Sequence, residues 1–388
     1  MNTNANKTGY SNVIMLVIFI SSVAAPLTQF KVPPMMQQLI QSLDISLVKA
    51  AWLMSVFSLV GIILALPAGQ IIQRIGLKTA GLIALAALMI GSFMGVMSGN
   101  ATVMLASRVI EGIGMCFLSV MAPAALTAWY QPAKRSLPMG IWATWVPIGT
   151  ILMYNIAPVL GNWKAVWMFS LAFSAVAFIL MLLLFRMPKE GEVDMPKATA
   201  AQAQETVKSP YANKHIWMLA FAFFIFNLMA LAVNSFMPMF LKTVQGMGDA
   251  KASSVASILM IAAMVMAPVS GILIAKIKSC KKIMVGGFII AMFSTFFIFT
   301  SSGSLLILLI VVTGMMIGLV PVAIFSAVPE IMDRPSQAGI GMSIVAFGRY
   351  VGMFTGPAVA GALIQNYGWD KVGIVIAPMI LLAAVIAV

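Results

Sequence analysis

Stretches of about 20 apolar residues recur along the whole chain, separated by short polar breaks. A helix of about 20 residues is long enough to cross the ~30 Å hydrocarbon core of a bilayer. Of the 388 residues, 62% are hydrophobic and 9% are charged, which excludes a water-soluble surface. We predict an all-α membrane protein with twelve spans, at residues 12–38, 47–70, 78–98, 101–128, 138–160, 163–187, 214–241, 252–275, 282–301, 304–328, 338–363 and 371–388.

The distribution of Lys and Arg in the loops orients these spans, since short cytoplasmic loops hold an excess of basic residues. With the N-terminus inside, fifteen basic residues are cytoplasmic and five are external. Together with three inside the membrane, they account for all 23. Both termini are therefore predicted to be cytoplasmic, in the plasma (inner) membrane of a bacterium. The net charge of +13 then reflects topology, and we expect no nucleic-acid partner.

The longest polar interruption, residues 188–213, predicts a cytoplasmic linker between two six-helix halves, 1–187 and 214–388. The halves resemble each other. The segment from Gly69 to Arg74 after the second span is echoed by Gly271 to Lys276 after the eighth. Parallel repeats of this kind predict two pseudo-symmetric bundles that rock about a central site.

Three sets of residues indicate a family. Gly69, Arg74, Gly76 and Lys78 form a glycine and basic-residue motif after the second span, with Gln73 beside Arg74. The fourth span holds Arg108-Val-Ile-Glu111-Gly112, and the fifth and eleventh spans hold glycine-proline segments at Pro158 and Pro357.

In these motifs the chain resembles the major facilitator superfamily over essentially its full length. The resemblance implies a transporter that works by alternating access, with Gly69, Arg74, Gly76 and Lys78 as a gating motif on the cytoplasmic side. Gln73 replaces an Asp that belongs to a charge lock between the halves in that family. Phe30-Lys31 and the segment from Met139 to Trp145 are most similar to the bacterial cyanate and nitroimidazole permease branch.

Four charged residues lie away from the ends of the predicted spans and cannot be placed in water: Lys31, Arg108, Glu111 and Arg349. Each costs roughly 2.5–3.5 kcal/mol to insert, so it is normally retained for a reason. Arg349 lies near the middle of the eleventh span, where neighbouring glycines leave room for an anion to bind its guanidinium through two hydrogen bonds. The alternative is a structural cation bonded to helix-end carbonyls or to Glu111.

Two hypotheses remain open for each of the other charges. Lys31 either extends to the external interface along its alkyl stem or faces the cavity, where an anion could bridge it to Arg349. Arg108 and Glu111 are three residues apart on one helix and can pair. This pair either fixes helix packing or, as the proton-coupling site, exchanges a proton when the separation of the two groups changes.

Substrate contacts are also predicted for uncharged residues of the fifth, seventh and eleventh spans: Trp145, Tyr154, Asn227, Asn234 and Tyr350. Three cavity cations against one carboxylate favour a small organic or inorganic anion, moved with a proton or in exchange for a counter-anion. The alternative function is a proton-driven exporter of lipophilic drugs. We expect a functional monomer in the lipid bilayer.

No enzyme, cofactor or metal function is predicted, because no nucleophile-base pair, metal-ligand spacing or phosphate loop is visible. Cys116 falls inside a span and Cys280 in a cytoplasmic loop, so we expect no disulfide. The energy for transport must then come from an ion or substrate gradient.

Overall fold

The computed structural model describes residues 5–131, 134–188, 210–332 and 337–387, and the regular structure in these ranges is helical. The N-terminal half holds α1 (Ala5–Gln29), α2 (Val32–Leu43), α3 (Leu47–Ser55), α4 (Leu59–Leu64), α5 (Ala68–Ile75), α6 (Leu77–Val96), α7 (Ala101–Trp129), α8 (Ser136–Ala143), α9 (Trp145–Leu160) and α10 (Trp163–Leu184). The C-terminal half holds α11 (Lys214–Thr243), α12 (Asp249–Ile277), α13 (Cys280–Ile298), α14 (Gly303–Ile331), α15 (Ala338–Tyr367) and α16 (Asp370–Ile386). Most of the predicted linker, 189–209, lies outside the described residues.

Ten segments among the described residues are long and apolar enough to cross a membrane, from Tyr10–Leu43 to Gly303–Ile331. They coincide in order with the first ten predicted spans. Helices α15 and α16 occupy the positions of the eleventh and twelfth. Several helices extend beyond the predicted bounds, as α12 does at both ends, because polar residues in the terminal turns continue the helix.

The first, second and fifth crossings are each built from more than one helix. In the first, α1 ends at Gln29 and α2 begins at Val32, just before Pro33 and Pro34. Proline has no backbone N–H, so the carbonyls four residues earlier lose their helical partners. In the second crossing a 3-10 turn at Val56–Ser58 separates α3 from α4. Both irregularities leave backbone carbonyls available to other groups.

Glycines allow the closest helix pairs to form. A Cβ atom on Gly348 would lie 2.1 Å from the carbonyl oxygen of Ala220, and one on Gly352 would lie 2.2 Å from that of Phe224. Helices α11 and α15 therefore pack backbone to backbone, as small residues permit in membrane proteins.

The two halves contact each other at one end of the bundle. Helix α9 packs against α12, α3 against α15, and α2 against α11. All of these contacts lie at the end that the charge distribution assigns to the outside, or near the middle of the bundle. At the opposite end, α5 packs mainly on α6 and α7 of its own half, and α8 on α1, α7 and α9.

Candidate transport site

Three of the four intramembrane charges form one cluster in the N-terminal half. The Nζ atom of Lys31 lies 2.6 Å from Oε1 of Glu111 and 3.1 Å from Oγ of Ser92. The Ser92 hydroxyl donates to the same carboxylate oxygen at 2.8 Å, and Arg108 bonds to the other carboxylate oxygen. Lys31, Ser92, Arg108 and Glu111 are all 0% exposed. We call these four residues the buried cluster; its formal charge is positive by one unit.

Arg108 also donates to three backbone carbonyls near the breaks in the first and second crossings. Its guanidinium reaches Thr28 and Gln29 at the end of α1, both at 2.9 Å, and Leu53 in α3 at 3.0 Å. The α1 carbonyls belong to the last turn before the proline pair, and Leu53 precedes the 3-10 turn. Arg108 therefore joins the first, second and fourth crossings as a shared cap.

Aromatic rings cover the buried cluster. The ring of Trp167 from α10 lies 4.4 Å from Nζ of Lys31, and the ring of Phe57 lies 4.6 Å from Cζ of Arg108. Both contacts place a cation over a π face, which is favourable where water is excluded. Lys31 thus extends to neither the membrane surface nor an open cavity, because Glu111 and Trp167 hold its ammonium group inside the N-terminal half.

Arg349 lies apart from the buried cluster, on α15. Its side chain is partly exposed, and its guanidinium lies 5.8 Å from the centre of the Tyr350 ring. Among the described residues, no carboxylate lies within salt-bridge distance of Arg349. The predicted bridge between Arg349 and Lys31 is not formed in this structure, since Lys31 pairs with Glu111.

The neighbours of Arg349 define the side of α15 on which it lies. Gly348 and Gly352 pack on α11, whereas Tyr350 packs on Gly61 of α4 and lies 3.2 Å from the Ser119 hydroxyl of α7. At 100° per residue, Arg349 falls between these two faces. The opposite side of α15 carries two rings that contact partly exposed tryptophans: Phe347 on Trp217 and Phe354 on Trp52. Arg349 is therefore on the inner side of α15, where the two halves meet.

The structure pairs two of the uncharged predicted residues across the halves. The Tyr154 hydroxyl donates to the Asn234 backbone oxygen at 2.6 Å and lies 3.1 Å from its Oδ1. Tyr154 is fully buried and Asn234 is 2% exposed. Nearby, Ser254 donates to Asn155 at 2.8 Å. Tyr154 and Asn234 thus join α9 to α11 in the closed part of the bundle.

The other predicted residues are separate from this pair. Trp145 stacks on Trp142 with ring centres 5.6 Å apart, and Trp142 donates to the Ser22 hydroxyl at 3.0 Å. The side-chain amide of Asn227 donates to the backbone carbonyl of Phe223, in the same helix, at 2.9 Å. These contacts hold each side chain within its own half.

The predicted gating motif lies at the open end of the bundle. Gly76 has φ +85°, a conformation that favours glycine, and it turns the chain between α5 and α6. Arg74 is exposed and Lys78 is partly exposed, while a Cβ atom added to Gly69 would have no neighbour within 4 Å. The motif therefore shapes a tight turn, and among the described residues no salt bridge from it crosses to the C-terminal half.

Sequence reasoning did not identify Ser92 and Trp167 as members of the buried cluster. Ser92 is a single hydroxyl in an apolar helix, and Trp167 lies in a span whose charged residues are near its ends. Gly91, next to Ser92, is the sequence feature that points to this site, since a Cβ atom there would lie 2.4 Å from the Glu111 side chain. It indicates close packing at this level of α6.

Comparison with known proteins identifies the class. The family model of the Major Facilitator Superfamily matches residues 18–333 and 251–388. The chain belongs to this superfamily of membrane transporters, as its motifs predicted. The fold agrees, because a bacterial homologue of the human lysosomal transporter Spinster, in an inward-facing and unoccupied conformation, superimposes with a TM-score of 0.81. That match covers 98% of this chain and 96% of the homologue at 14% sequence identity. The prediction of twelve helices in two six-helix bundles is confirmed.

Curated relatives match only in part. The Methylenomycin A resistance protein of Bacillus subtilis (strain 168) is 26% identical over 180 residues, 45% of this chain and 38% of the relative. The Multidrug efflux pump SdrM of Staphylococcus aureus (strain N315) is 26% identical over 192 residues, 47% of this chain and 41% of the pump. The Myo-inositol transporter 3C of Cryptococcus neoformans var. grubii is 24% identical over 152 residues, 39% of this chain and 26% of that transporter. The chain thus spans about two-fifths or less of the length of these relatives.

Proposed function

We propose that this transporter moves a small organic or inorganic anion by alternating access, coupled to a proton or to a counter-anion. The observation that carries the proposal is Arg349. It is an intramembrane guanidinium on the inner side of α15, partly exposed and without a carboxylate partner among the described residues. A charge in that position is costly unless an anion joins it during the cycle.

The electrostatics of the bundle also support an anion. Glu111 is surrounded by donors from Lys31, Ser92 and Arg108, so it offers no free negative charge to a cationic substrate. A cleft that contains Arg349 has a positive potential, which attracts anions and repels organic cations. A guanidinium in particular binds carboxylates and related oxyanions through two parallel hydrogen bonds.

We place proton coupling in the buried cluster, which is separate from Arg349. The ion pairs among Lys31, Arg108 and Glu111 can change without contact with the substrate, because their positions depend on the packing of α1, α2 and α7. The packing of the helices supports alternating access, since the halves contact each other toward the predicted outer end. In this orientation the protein would lie in a bacterial plasma membrane with both termini inside. We expect it to function as a monomer.

The second candidate is proton-driven export of lipophilic drugs, which the names of two partial relatives favour. An exporter of cationic drugs would need Glu111 to become accessible in another conformation. The two candidates therefore differ in the residue on which ligand binding depends: Arg349 for an anion, Glu111 for a lipophilic cation.

The thermal stability of the purified protein in detergent tests this difference. The panel contains small carboxylates, inorganic anions and lipophilic cations, each tested on wild type, Arg349→Gln, Arg349→Lys and Glu111→Gln. A ligand at 100 times its Kd stabilises the folded protein by about 2.7 kcal/mol. We expect stabilisation by one class of anion, lost in Arg349→Gln and weakened less in Arg349→Lys. Stabilisation only by lipophilic cations, dependent on Glu111, would establish the exporter instead.

A further inference from the structure

We propose that Lys31, rather than Glu111, takes up and releases the coupling proton, and that its protonation sets which end of the transporter is open. The transport role of this proton rests on the proposed function. The effect of protonation on conformation is a property of the protein alone and can be tested without a substrate.

The charge of the buried cluster distinguishes the two candidate groups. With Lys31, Arg108 and Glu111 all ionised, the cluster carries one net positive charge. Loss of a proton from Lys31 leaves a neutral Arg108–Glu111 pair. Gain of a proton by Glu111 would instead leave two cations with no counterion at 0% exposure. Since buried charge is tolerated only when paired, release from Lys31 is the less costly change.

The contacts of the three groups support the same assignment. Arg108 is bonded to three backbone carbonyls as well as to Glu111, so its position depends on three crossings at once. Glu111 accepts hydrogen bonds at both oxygens. Among the described residues, the Lys31 ammonium donates hydrogen bonds only to the side chains of Glu111 and Ser92. Of the three charged groups, Lys31 is the one whose ion pair and hydrogen bonds depend most directly on its own proton.

The position of Lys31 links its charge to the conformation. Lys31 lies between α1 and α2, and α2 packs against α11 of the opposite half in the closed part of the bundle. When protonated, Lys31 ties this joint to Glu111 of α7 and Ser92 of α6. When neutral, it loses the ion pair, and α2 is freer to leave α11. Protonation therefore favours the closed outer end and the open cytoplasmic end, because a ligand stabilises the state that binds it more tightly.

The step is a simple ionisation. One N–H bond of the Lys31 ammonium breaks, its electron pair stays on nitrogen, and the proton passes to water when a conformational change admits water to the joint. The titratable groups facing Lys31 are Glu111 and Arg108 from α7. Ser92 from α6 and the Trp167 ring from α10 also contact the Lys31 ammonium.

Distance measurements between two spin labels test the proposal across the pH range in which the protein stays folded. The labels replace Thr79 and Lys276, exposed residues at the predicted cytoplasmic ends of the two halves. The buried cysteines, Cys116 and Cys280, are replaced by serine. In the Lys31-containing protein we expect the long, open distance to predominate at low pH. As the pH is raised, the ratio of open to closed populations should fall by at most about tenfold per pH unit, because one proton is released.

Two substitutions of Lys31 distinguish the effect of its positive charge from the effect of proton release. Lys31→Arg keeps the cation but does not release a proton, so its distances should stay open at every pH. Lys31→Gln imitates the deprotonated state and should stay closed. Ser170→Ala is the matched control, because it removes a buried hydrogen bond of the same half, from Ser170 to the Val166 carbonyl, outside the buried cluster, and it should keep the pH response. Size-exclusion chromatography confirms that each variant is folded.

Retention of the pH response by Lys31→Arg would overturn the proposal and assign the proton to Glu111. A Lys31-containing protein whose label distances do not change with pH would also overturn the proposal. Transport assays separate this failure from failure of the proposed function. If transport does not depend on a proton gradient but the Lys31 variants lose the pH response, Lys31 is still the switch. If Lys31→Arg still accumulates substrate on a proton gradient, the assignment fails while coupled transport stands.

Discussion

Arg108 shows how one intramembrane charge can be structural. Its guanidinium donates to three carbonyls near the breaks in the first and second crossings, in addition to pairing with Glu111. A planar group with five donors suits this task, whereas an ammonium group does not. Arg108 thus stabilises the broken helices and is also a member of the buried cluster.

We therefore expect Arg108→Gln to lower the free energy of unfolding by about 3–5 kcal/mol, since it leaves buried carbonyls unpaired and removes a buried ion pair. Arg108→Lys should recover only part of this loss. The measurement is thermal or denaturant unfolding in detergent. Lys242→Gln is the control, because Lys242 and Asp249 form a partly exposed pair whose loss should cost at most about 1 kcal/mol. Equal effects of Arg108→Gln and Lys242→Gln would exclude the capping role.

At the scale of helices, glycine decides which pairs can approach. Helices α11 and α15 meet at Gly348 and Gly352, and this contact sets the direction in which Arg349 faces. A side chain at either glycine would push α15 away from α11 and turn the guanidinium relative to the cleft.

Gly348→Ala should consequently destabilise the protein by about 1–3 kcal/mol, because its Cβ would overlap the Ala220 backbone. Gly339→Ala, in the same helix, has no atom within 4 Å of the new Cβ. It should be neutral or stabilising by up to about 1 kcal/mol, as expected for alanine in a helix. Unfolding midpoints measure both. A Gly348→Ala variant as stable as Gly339→Ala would show that the two helices can separate without cost.

At the scale of the whole molecule, hydrogen bonds between the halves stabilise the closed outer end. Tyr154 reaches Asn234 across the halves, and Gln365 of α15 accepts from the Val48 backbone of α3. These contacts must break when the outer end opens, so each one favours the conformation with a closed outer end.

Tyr154→Phe removes one hydroxyl from this interface and retains the ring. A net hydrogen bond contributes about 1 kcal/mol, so the population with an open outer end should rise about fivefold. Spin labels at Ser42 and Lys251, exposed residues of α2 and α12, report the change as a longer distance. In Tyr10→Phe, the lost bond to Leu184 lies within the N-terminal half, and the distance should not change. No difference between the two variants would mean that the hydroxyl does not hold the outer end closed.

Much of the fold was predictable because bilayer thickness imposes a local requirement on the sequence. Backbone polar groups in the hydrocarbon core must be paired inside the protein, and a helix pairs most of them along its own length, so each crossing appears as an apolar run of sufficient length. The same reasoning identified the charged residues worth attention. It also placed Arg108 and Glu111 on one helix face, since residues three apart are neighbours.

Sequence by itself thus determined the number and nature of the crossings and the family, because these depend on local patterns and motifs. Only the tertiary structure decided that Lys31 pairs with Glu111, 80 residues away, and that Arg349 remains outside the buried cluster. The partner of a buried charge depends on how helices turn and pack in three dimensions. A rotation of one helix by a single residue, about 100°, would give Lys31 or Arg349 different neighbours while leaving the hydropathy of the chain unchanged.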